Sequence, residues 1–358
     1  MTVIGIVRIS KDVPVFLPGE YVPIKITITN TGEKETISWA CAQLLLEIYP
    51  GKGVKKSERF EKRSKRIGEP QILFCDIEIN KNEPQSFDVR LLIPNDIKLI
   101  PSLSGNYVVH EYSISIAIQP HKNDLKITKL PFELMNYPFE IPQKKYEDCQ
   151  PELFTDHDCD RGEKHFREIV ADLVDDFCFK PSGKSFKIDD PKGVICHVDM
   201  PKMNFKFGEL IVGKLTFPQR SGSYCIEYLV RLECIERVKK GFGSLDSKEC
   251  ITSLKTDYGF CSQYSSVAFQ LPLDIGNNLC FQTEYLSISY RLHFEFVTSD
   301  TPTTIEKSFN TSGAVDTLKV ESVEWNLPIN VIGPPTHNAA LFAHDDFFNR
   351  EDKIVLLE

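Results

Sequence analysis

A duplicated Gly-Glu turn constrains the fold more than any other feature of this sequence. The pair occurs as Gly19-Glu20 and again as Gly208-Glu209, and each copy precedes residues that alternate in polarity. The residues in phase are Val22, Ile24, Ile26 and Ile28 in the first copy and Ile211, Gly213, Leu215 and Phe217 in the second. A turn followed by period-two alternation predicts a strand with one buried face. A second echo, Leu-Pro-Phe-Glu-Leu at 130–134 against Leu-Pro-Ile-Asn-Val at 327–331, indicates two related β-domains in tandem.

The length of the chain agrees with this division, because 358 residues are more than a single hydrophobic core usually accommodates and are enough for two domains. We predict an N-terminal antiparallel β-sandwich over residues 1–137 and a second one over 184–333. Residues 138–183, which are rich in proline and charge, are predicted to be a linker with one amphipathic helix. Residues 334–358 are polar and acidic and are predicted to be a tail that is mobile unless captured.

Hydrophobic periodicity places the main secondary-structure elements. Alternating or densely apolar runs predict strands at residues 39–48, 71–79 (with a bulge), 85–93, 110–119 and 286–296. Helical spacing predicts the linker helix through Phe166, Ile169, Val170, Leu173, Val174 and Phe177, with aspartates ahead of it at its N-terminus. The chain is therefore expected to be almost entirely β.

Charge and cysteine content limit the function classes. The net charge of −9 does not favour binding of the whole chain to polyanions such as nucleic acid. The eleven cysteines are odd in number and include no Cys-x-x-Cys pair, and no apolar stretch is long enough to span a membrane. The residues at the N-terminus do not form a signal peptide, so we expect a cytosolic protein.

Catalytic and metal-binding patterns are weak. Gly51-Lys52-Gly53 lacks the third glycine of a dinucleotide loop, and no Gly-x-Ser-x-Gly elbow occurs. His293 is expected on the solvent side of its strand, as an ordinary surface residue. The segment at 156–162 resembles the start of a calcium loop but has Arg161 and Arg167 where glycine and glutamate are needed. We therefore expect no enzyme activity of this chain alone, no cofactor and no metal.

A basic segment stands out against the acidic chain. Eight positive charges lie within residues 52–66, where only Glu58 and Glu61 oppose them. The interaction candidates are Lys55, Lys56, Arg59, Lys62, Arg63, Lys65 and Arg66. They could contact anionic lipid headgroups or an acidic partner, or they could form a solvated loop between strands. Nucleic acid is a weaker candidate because no aromatic residues alternate with the charges.

The end of the chain carries a short pattern of its own. Asp352-Lys353-Ile354-Val355-Leu356-Leu357 fits the acidic dileucine pattern that sorting adaptors bind. Such patterns arise often by chance. A strand or helix that covers an apolar patch is the favoured interpretation of this segment.

Two consecutive sandwiches that each begin with a Gly-Glu turn resemble the arrestin-like fold. Four segments are similar to the reduced-growth-phenotype (Rgp) family over residues 1–333: Trp39-Ala40-Cys41-Ala42-Gln43, Ile72-Leu73-Phe74-Cys75-Asp76, Arg291 to Ser299, and Trp325-Asn326-Leu327-Pro328-Ile329. The block from Arg291 is the most specific of them. The linker, the basic segment and the tail do not share the resemblance.

This resemblance implies a role within a complex. Members of the family are the smaller subunit of a two-subunit guanine-nucleotide exchange factor for a Golgi Rab GTPase of the Rab-six type, beside a larger subunit that contains β-propellers. The expected function is a non-catalytic scaffold in retrograde, endosome-to-Golgi vesicle traffic, in the cytoplasm and recruited peripherally to Golgi membranes. A cargo-sorting adaptor of the retromer type remains an alternative. A ubiquitin-ligase adaptor is disfavoured because such adaptors carry Pro-Pro-x-Tyr motifs. Here Pro334-Pro335 is followed by Thr336 and His337, so the tyrosine is missing.

Overall fold

A computed structural model describes most of the chain. The described residues are 3–11, 14–55, 62–95, 99–121, 123–138, 156–179, 183–218, 224–239, 247–262, 264–274, 278–300, 318–334 and 351–357. Within these ranges the chain forms twenty strands and one helix. The strands group into two compact units, which are described separately.

The first unit contains ten strands in two sheets. The strands are β1 (Val3–Ile9), β2 (Val15–Phe16), β3 (Tyr21–Asn30), β4 (Glu35–Pro50), β5 (Arg63–Ile79), β6 (Gln85–Leu92), β7 (Leu103–Ser104), β8 (Val108–Pro120), β9 (Lys126–Leu134) and β20 (Glu351–Leu357). One sheet has the order β20-β1-β3-β6, and the other has the order β2-β9-β8-β4-β5, with β7 beside β8. The long strand β5 is therefore an edge of the larger sheet.

The second unit has the same plan. Its strands are β10 (Lys184–Asp190), β11 (Gly193–Met200), β12 (Asn204–Lys206), β13 (Leu210–Thr216), β14 (Tyr224–Val238), β15 (Lys248–Phe260), β16 (Ser266–Pro272), β17 (Phe281–Gln282), β18 (Leu286–Ser299) and β19 (Val320–Ile332). The sheet orders are β10-β11-β13-β16 and β12-β19-β18-β14-β15, with β17 beside β18. Strand by strand this repeats the first unit, and β10 occupies the position that β20 holds there.

The Gly-Glu turn is built in the same way in both units. Gly19 and Gly208 have φ angles of +85° and +88°, a region that favours glycine because it has no Cβ. The amides of Gly19 and Gly208 donate to the carbonyls of Ile93 and Leu273, at 2.9 and 2.8 Å. The turn therefore joins the start of β3 or β13 to the end of β6 or β16. The predicted duplication is thus visible in the backbone.

The interior of each unit is filled by the apolar side chains that alternate along its strands. Ile24, Ile26 and Ile28 of β3 are almost completely buried, as the period-two pattern predicts. In the second unit, Phe269 of β16 packs edge to face on Phe294 of β18, with ring centroids 5.7 Å apart, so the core joins the two sheets. The all-β class and the two tandem sandwiches are confirmed, whereas the likeness to arrestin remains a prediction.

Two details of the strands differ from the sequence-based expectation. The short edge strands β2 and β12 run parallel to β9 and β19, a detail that the prediction of antiparallel sandwiches did not include. The predicted strands at 39–48, 71–79 and 286–296 are present but longer. Their ends extend because polar residues at strand ends still pair through their backbone.

The linker helix, α1, runs from Asp156 to Phe179. Its buried residues include Phe166, Val170 and Val174, as the helical spacing predicts, but Ile169 is 36% exposed. The aspartates at 156–160 belong to the first turns of the helix rather than preceding it. This backbone is helical where the calcium-like loop would be. The exact domain boundaries 1–137, 138–183 and 184–333 remain predictions.

The tail forms a strand where it is described. Residues 351–357 pair antiparallel with β1, and Gly5 lies opposite Ile354. This pairing is consistent with the favoured interpretation of residues 352–357 as a strand or helix. Residues 334–358 were expected to be mobile unless captured, and pairing with β1 is such a capture for residues 351–357. The cause is the free hydrogen-bonding edge of β1, which an extended segment can satisfy. A second short-motif candidate in the sequence, Phe347-Phe348 beside Asp345 and Asp346, lies outside the described residues.

Candidate interaction surfaces

The basic segment lies at the end of the β4–β5 hairpin. Lys55 and Lys62 to Arg66 are exposed, whereas Lys56 and Arg59 lie outside the described residues. Arg63 and Lys65 are opposite the inward-facing Ile48 and Leu46, and Arg66 is opposite the outward-facing Leu45. Because cross-strand partners share a face, these cations project on alternating sides of β5. The predicted residues are close together along the chain, but they do not form a patch on a single face.

Lys62 belongs to an ion-pair cluster on the outer face of the larger sheet. The Glu47 carboxylate is 3.1 Å from the Nζ of Lys62 and 2.8 Å from that of Lys129. The hydrogen bond from Lys129, aided by Lys62, holds the pKa of Glu47 below its ordinary value despite its burial. The positive charge of Lys62 is thus partly neutralised by the Glu47 carboxylate.

Glu133 and His110 are titratable groups in this region of the first unit. Burial raises the pKa of Glu133 to about 7, although a hydrogen bond with Ser102 acts in the opposite direction. Burial lowers the pKa of His110 to about 4, against a hydrogen bond to the carbonyl of Pro101. In both cases burial disfavours the charged form, as expected for a group with little access to water. Near neutral pH, His110 is therefore neutral.

The segments around Trp39 and Ile72 meet on this same outer face. Cys41 of β4 lies opposite Ala117 of β8 on one side and Ile72 of β5 on the other, and Ala117 lies opposite Ile127 of β9. Trp39, Ile72 and Ile127 are 36%, 68% and 59% exposed. We call Trp39, Cys41, Ile72 and Ile127 the first-unit apolar patch. Sequence reasoning missed it, although the four consecutive apolar residues at 39–42 of β4 were a signal that both faces of the strand are apolar there.

Gln43 fixes the irregular pairing next to this patch. Its Nε2 donates to the carbonyls of Ile67 and Gly68, at 2.8 and 3.1 Å, where the register between β4 and β5 shifts. Gly68 has a φ of +67°, which suits a bulge. A further shift lies between Ile72 and Phe74, opposite Cys41 and Ala40, within the run where a bulge was predicted. The β5 edge is thus bent and charged.

The block from Arg291 forms a polar row on the outer face of the second unit's larger sheet. Arg291 Nε is 2.7 Å from a carboxylate oxygen of Glu233, and the Nη2 of Arg231 is 3.5 Å from one of Glu295. Between these pairs, Nδ1 of His293 lies 2.9 Å from Oδ1 of Asn326. The other face of the strand holds Leu292, Phe294 and Phe296 in the core. The block therefore combines core packing with a paired polar surface.

The expectation for His293 was wrong in one respect. The residue is on the outer face, as predicted, but it is only 8% exposed. Its direct cross-strand partner is Arg231, and Arg291 and Glu295 flank it on the same face. A row of long, mutually paired side chains leaves little room for water around the imidazole. His293 is therefore part of the packed sheet surface.

Exposed aromatic residues mark the edge strand β15. Tyr258 and Phe260 are 77% and 72% exposed, and Ile251 on the same strand is 45% exposed. Tyr258 lies opposite Leu229 and Ile251 opposite Ile235, both of which face outward from β14. Sequence reasoning did not single out this strand, because the exposure of its side chains depends on its position at the edge of the sheet.

The described residues show few features of a catalytic or metal-binding site. No group of three or more His, Cys, Asp or Glu side chains in them is placed to hold a metal ion. No helix in the described part of the chain is long and apolar enough to cross a membrane. A shallow cleft of about 540 Å³ in the second unit is lined by strand residues that include Lys184, Asp199 and Lys214. Exposed apolar side chains such as Ile72, Tyr258 and Phe260 suit contacts with other macromolecules.

Comparison with known proteins supports the family resemblance at a distance. No protein-family model matches the chain. The chain is similar to RAB6A-GEF complex partner protein 2 of Homo sapiens, with 23% identity over 92% of this chain and 94% of the relative. It is also similar to the protein of that name from Bos taurus, with 23% identity over 88% of this chain and 90% of the relative. The likeness therefore spans both β-sandwich units.

Proposed function

We propose that this protein is a non-catalytic subunit of a guanine-nucleotide exchange factor for a Rab GTPase of the Rab-six type. The observation that carries the proposal is the near full-length similarity to proteins named as partners in a RAB6A exchange-factor complex. Two further observations support it. The four segments on which the resemblance rests lie in β4, β5, β18 and β19, which are strands of the larger sheets. The exposed apolar residues on those sheets suit protein contacts.

The mechanism requires no catalytic side chain in this chain. A complex promotes GDP release when it binds the nucleotide-free GTPase more tightly than the GDP-bound form, because this difference shifts the GTPase population. The subunit acts by stabilising a larger subunit that contains β-propellers and by orienting the pair. The pair works on Golgi membranes in retrograde, endosome-to-Golgi traffic, and this chain is recruited there from the cytoplasm.

The basic segment is the proposed contact with the membrane. Arg63, Lys65 and Arg66 are exposed at the end of the β4–β5 hairpin, and Lys55 precedes them in the same connection. Each cation near an anionic bilayer contributes about 1 kcal/mol. Because the net charge of the chain is −9, attraction to the membrane must come from such a local cluster.

Co-expression with the larger exchange-factor subunit tests the proposed pairing. We expect the tagged chain to copurify with it in a fixed ratio through gel filtration. As a control for the need for a folded second unit, Leu292→Asp places a charge in the core, and we expect it to destabilise that unit and to reduce copurification. The proposal fails if the folded wild-type chain recovers no larger subunit, and copurification with retromer subunits instead would favour the cargo-sorting alternative.

A further inference from the structure

The two units differ at one equivalent place, the free edge of the larger sheet. In both sheet orders the last strand is β5 or β15, which pairs on one side with β4 or β14. Among the described residues, no strand pairs with the other side of either one. Each edge thus offers a row of backbone amides and carbonyls, which another strand can bind.

The β5 edge carries several features that oppose the addition of another strand. It carries Pro70, which has no amide hydrogen, and its register with β4 shifts twice. Three exposed cations, Arg63, Lys65 and Arg66, lie along it. Prolines, bulges and charges are the features by which natural sheet edges avoid unwanted pairing.

The β15 edge has fewer features that oppose strand addition, because its inward-facing charges, Lys255 and Asp257, are already engaged with β16 and its loop. Residues 248–260 contain no proline, and their pairing with β14 shifts only once, opposite Leu232 and Glu233. The strand presents Tyr258 and Phe260 to solvent at 77% and 72% exposure. Large exposed aromatic side chains beside an open edge are typical of an interface, since they supply contact area at a low entropy cost.

Gly259 lies on the inner face of β15, between these two aromatic residues. A Cβ at Gly259 would lie 3.1 Å from the ring of Tyr228, which is buried on the inner side. The missing side chain lets β15 lie close against this ring. Because successive strand residues alternate in direction, Tyr258 and Phe260 must then both face outward.

The inner side of β15 is already occupied. A carboxylate oxygen of Asp257 accepts a hydrogen bond from the Gln270 amide of β16, at 2.8 Å, and Lys255 lies 2.6 Å from Asp274. These contacts satisfy polar groups on the neighbouring strand β16 and its loop. The outer face and the lateral edge of β15 are therefore the parts of the strand at which a partner could bind.

The charges on the neighbouring outer face are largely paired, which indicates the chemistry of the occupant. Arg231 pairs with Glu295, Arg291 with Glu233, and Arg237 with Glu249. A strongly acidic or basic partner would therefore gain little there. An uncharged, apolar strand would cover Tyr258 and Phe260 at little desolvation cost.

We propose that β15 binds an extended segment of the larger exchange-factor subunit, which adds to the sheet as a further strand. The segment carries apolar side chains at alternate positions, so that one face of it packs on Tyr258 and Phe260. Main-chain hydrogen bonds to β15 supply affinity, and the two aromatic rings select the register. This inference rests on the proposed function, because it assumes that the two subunits pair.

A binding measurement with the intact pair tests the inference. The double variant Y258K/F260K places two charges on the proposed contact, and we expect it to lower affinity for the larger subunit at least about tenfold. L210K on β13 is the matched control, since Leu210 is 45% exposed on the smaller sheet of the same unit and lies outside the candidate surfaces. Thermal unfolding of each free variant checks that its fold is retained.

Backbone hydrogen exchange is a second readout that does not depend on substitution. In the wild-type pair, we expect amides of residues 248–260 to exchange more slowly than in the free chain, whereas those of 63–79 stay unchanged. If the wild-type pair forms but Y258K/F260K binds normally and residues 248–260 gain no protection, strand addition at β15 is wrong and the proposed function stands. If the wild-type pair does not form, both are wrong.

Discussion

Arg167 of α1 forms a two-point ion pair with Glu20 of the first Gly-Glu turn. Its Nε lies 2.6 Å from Oε1, and its Nη2 lies 2.9 Å from Oε2. Glu20 is only 5% exposed, and its Oε2 also accepts the amide of Leu17. In the second unit, Glu209 is paired with Lys202 at 2.7 Å and is more exposed, at 17%. The same turn thus has a buried anion in one copy and a more exposed anion in the other.

This difference predicts unequal costs for removing the cation. Arg167→Met leaves a buried carboxylate without its partner and should lower the free energy of unfolding of the first unit by about 3 kcal/mol. Lys202→Met should lower that of the second unit by no more than about 1 kcal/mol, because water can solvate Glu209. Chemical denaturation of each variant measures both values. Equal losses would show that the burial of Glu20 does not govern the pair.

Two opposing titrations should shape the dependence of stability on pH. The folded pKa of His110, about 4, is below its ordinary 6.5, so its contribution is complete above pH 6.5 and is lost as pH falls towards 4. The folded pKa of Glu133, about 7, is above its ordinary 4.5, so its contribution is complete below pH 4.5 and is lost as pH rises towards 7. Between pH 4.5 and 6.5 the two effects partly cancel.

Single variants separate these two effects. In His110→Gln, the free energy of unfolding should no longer carry the acid loss of about 3 kcal/mol that the histidine causes. In Glu133→Gln, the decline between pH 4.5 and 7 should disappear, which leaves a steeper rise from pH 4 to 6.5. Urea unfolding at five pH values measures both slopes. Parallel curves for the wild type and both variants would rule out these groups as the source.

The C-terminal strand should stabilise the first unit through its backbone. A chain that ends at residue 350 leaves the edge of β1 unpaired, so amides of residues 3–9 should exchange faster than in the full chain. The internal reference is β11, which holds the equivalent position but is paired with β10. Unchanged exchange in β1 would mean that β20 contributes no protection there.

The basic segment should bind anionic membranes. Reversal of Arg63, Lys65 and Arg66 to Glu should weaken binding to vesicles that contain phosphatidylserine by at least about tenfold at low salt. Binding to neutral phosphatidylcholine vesicles is the control for nonspecific association. Charge reversal of Lys184, Lys187 and Lys192 in the second unit is the control for net charge. If both triple variants lose the same affinity, the effect is one of total charge, and the segment has no specific role.

The sequence predicted the fold better than the surfaces, and the reason is physical. Burial imposes a period of two on strands, so Val22 to Ile28 and Leu286 to Phe296 reveal themselves without tertiary information. The outward positions carry no such constraint. The burial of His293 depends on Arg231, which is 62 residues distant and adjoins it only through the pairing of β14 with β18. The exposure of Tyr258 likewise depends on β15 being an edge strand, and neighbouring residues cannot reveal this.

The rate of GDP release from the Rab GTPase tests the central claim most directly. The larger subunit alone, this chain alone and the purified pair would each be mixed with RAB6A loaded with a fluorescent GDP analogue. We predict that the pair accelerates release well beyond either protein alone, and that this chain alone leaves the intrinsic rate unchanged. Release that is no faster with the pair than with the larger subunit alone would contradict the assignment of this chain to the exchange factor.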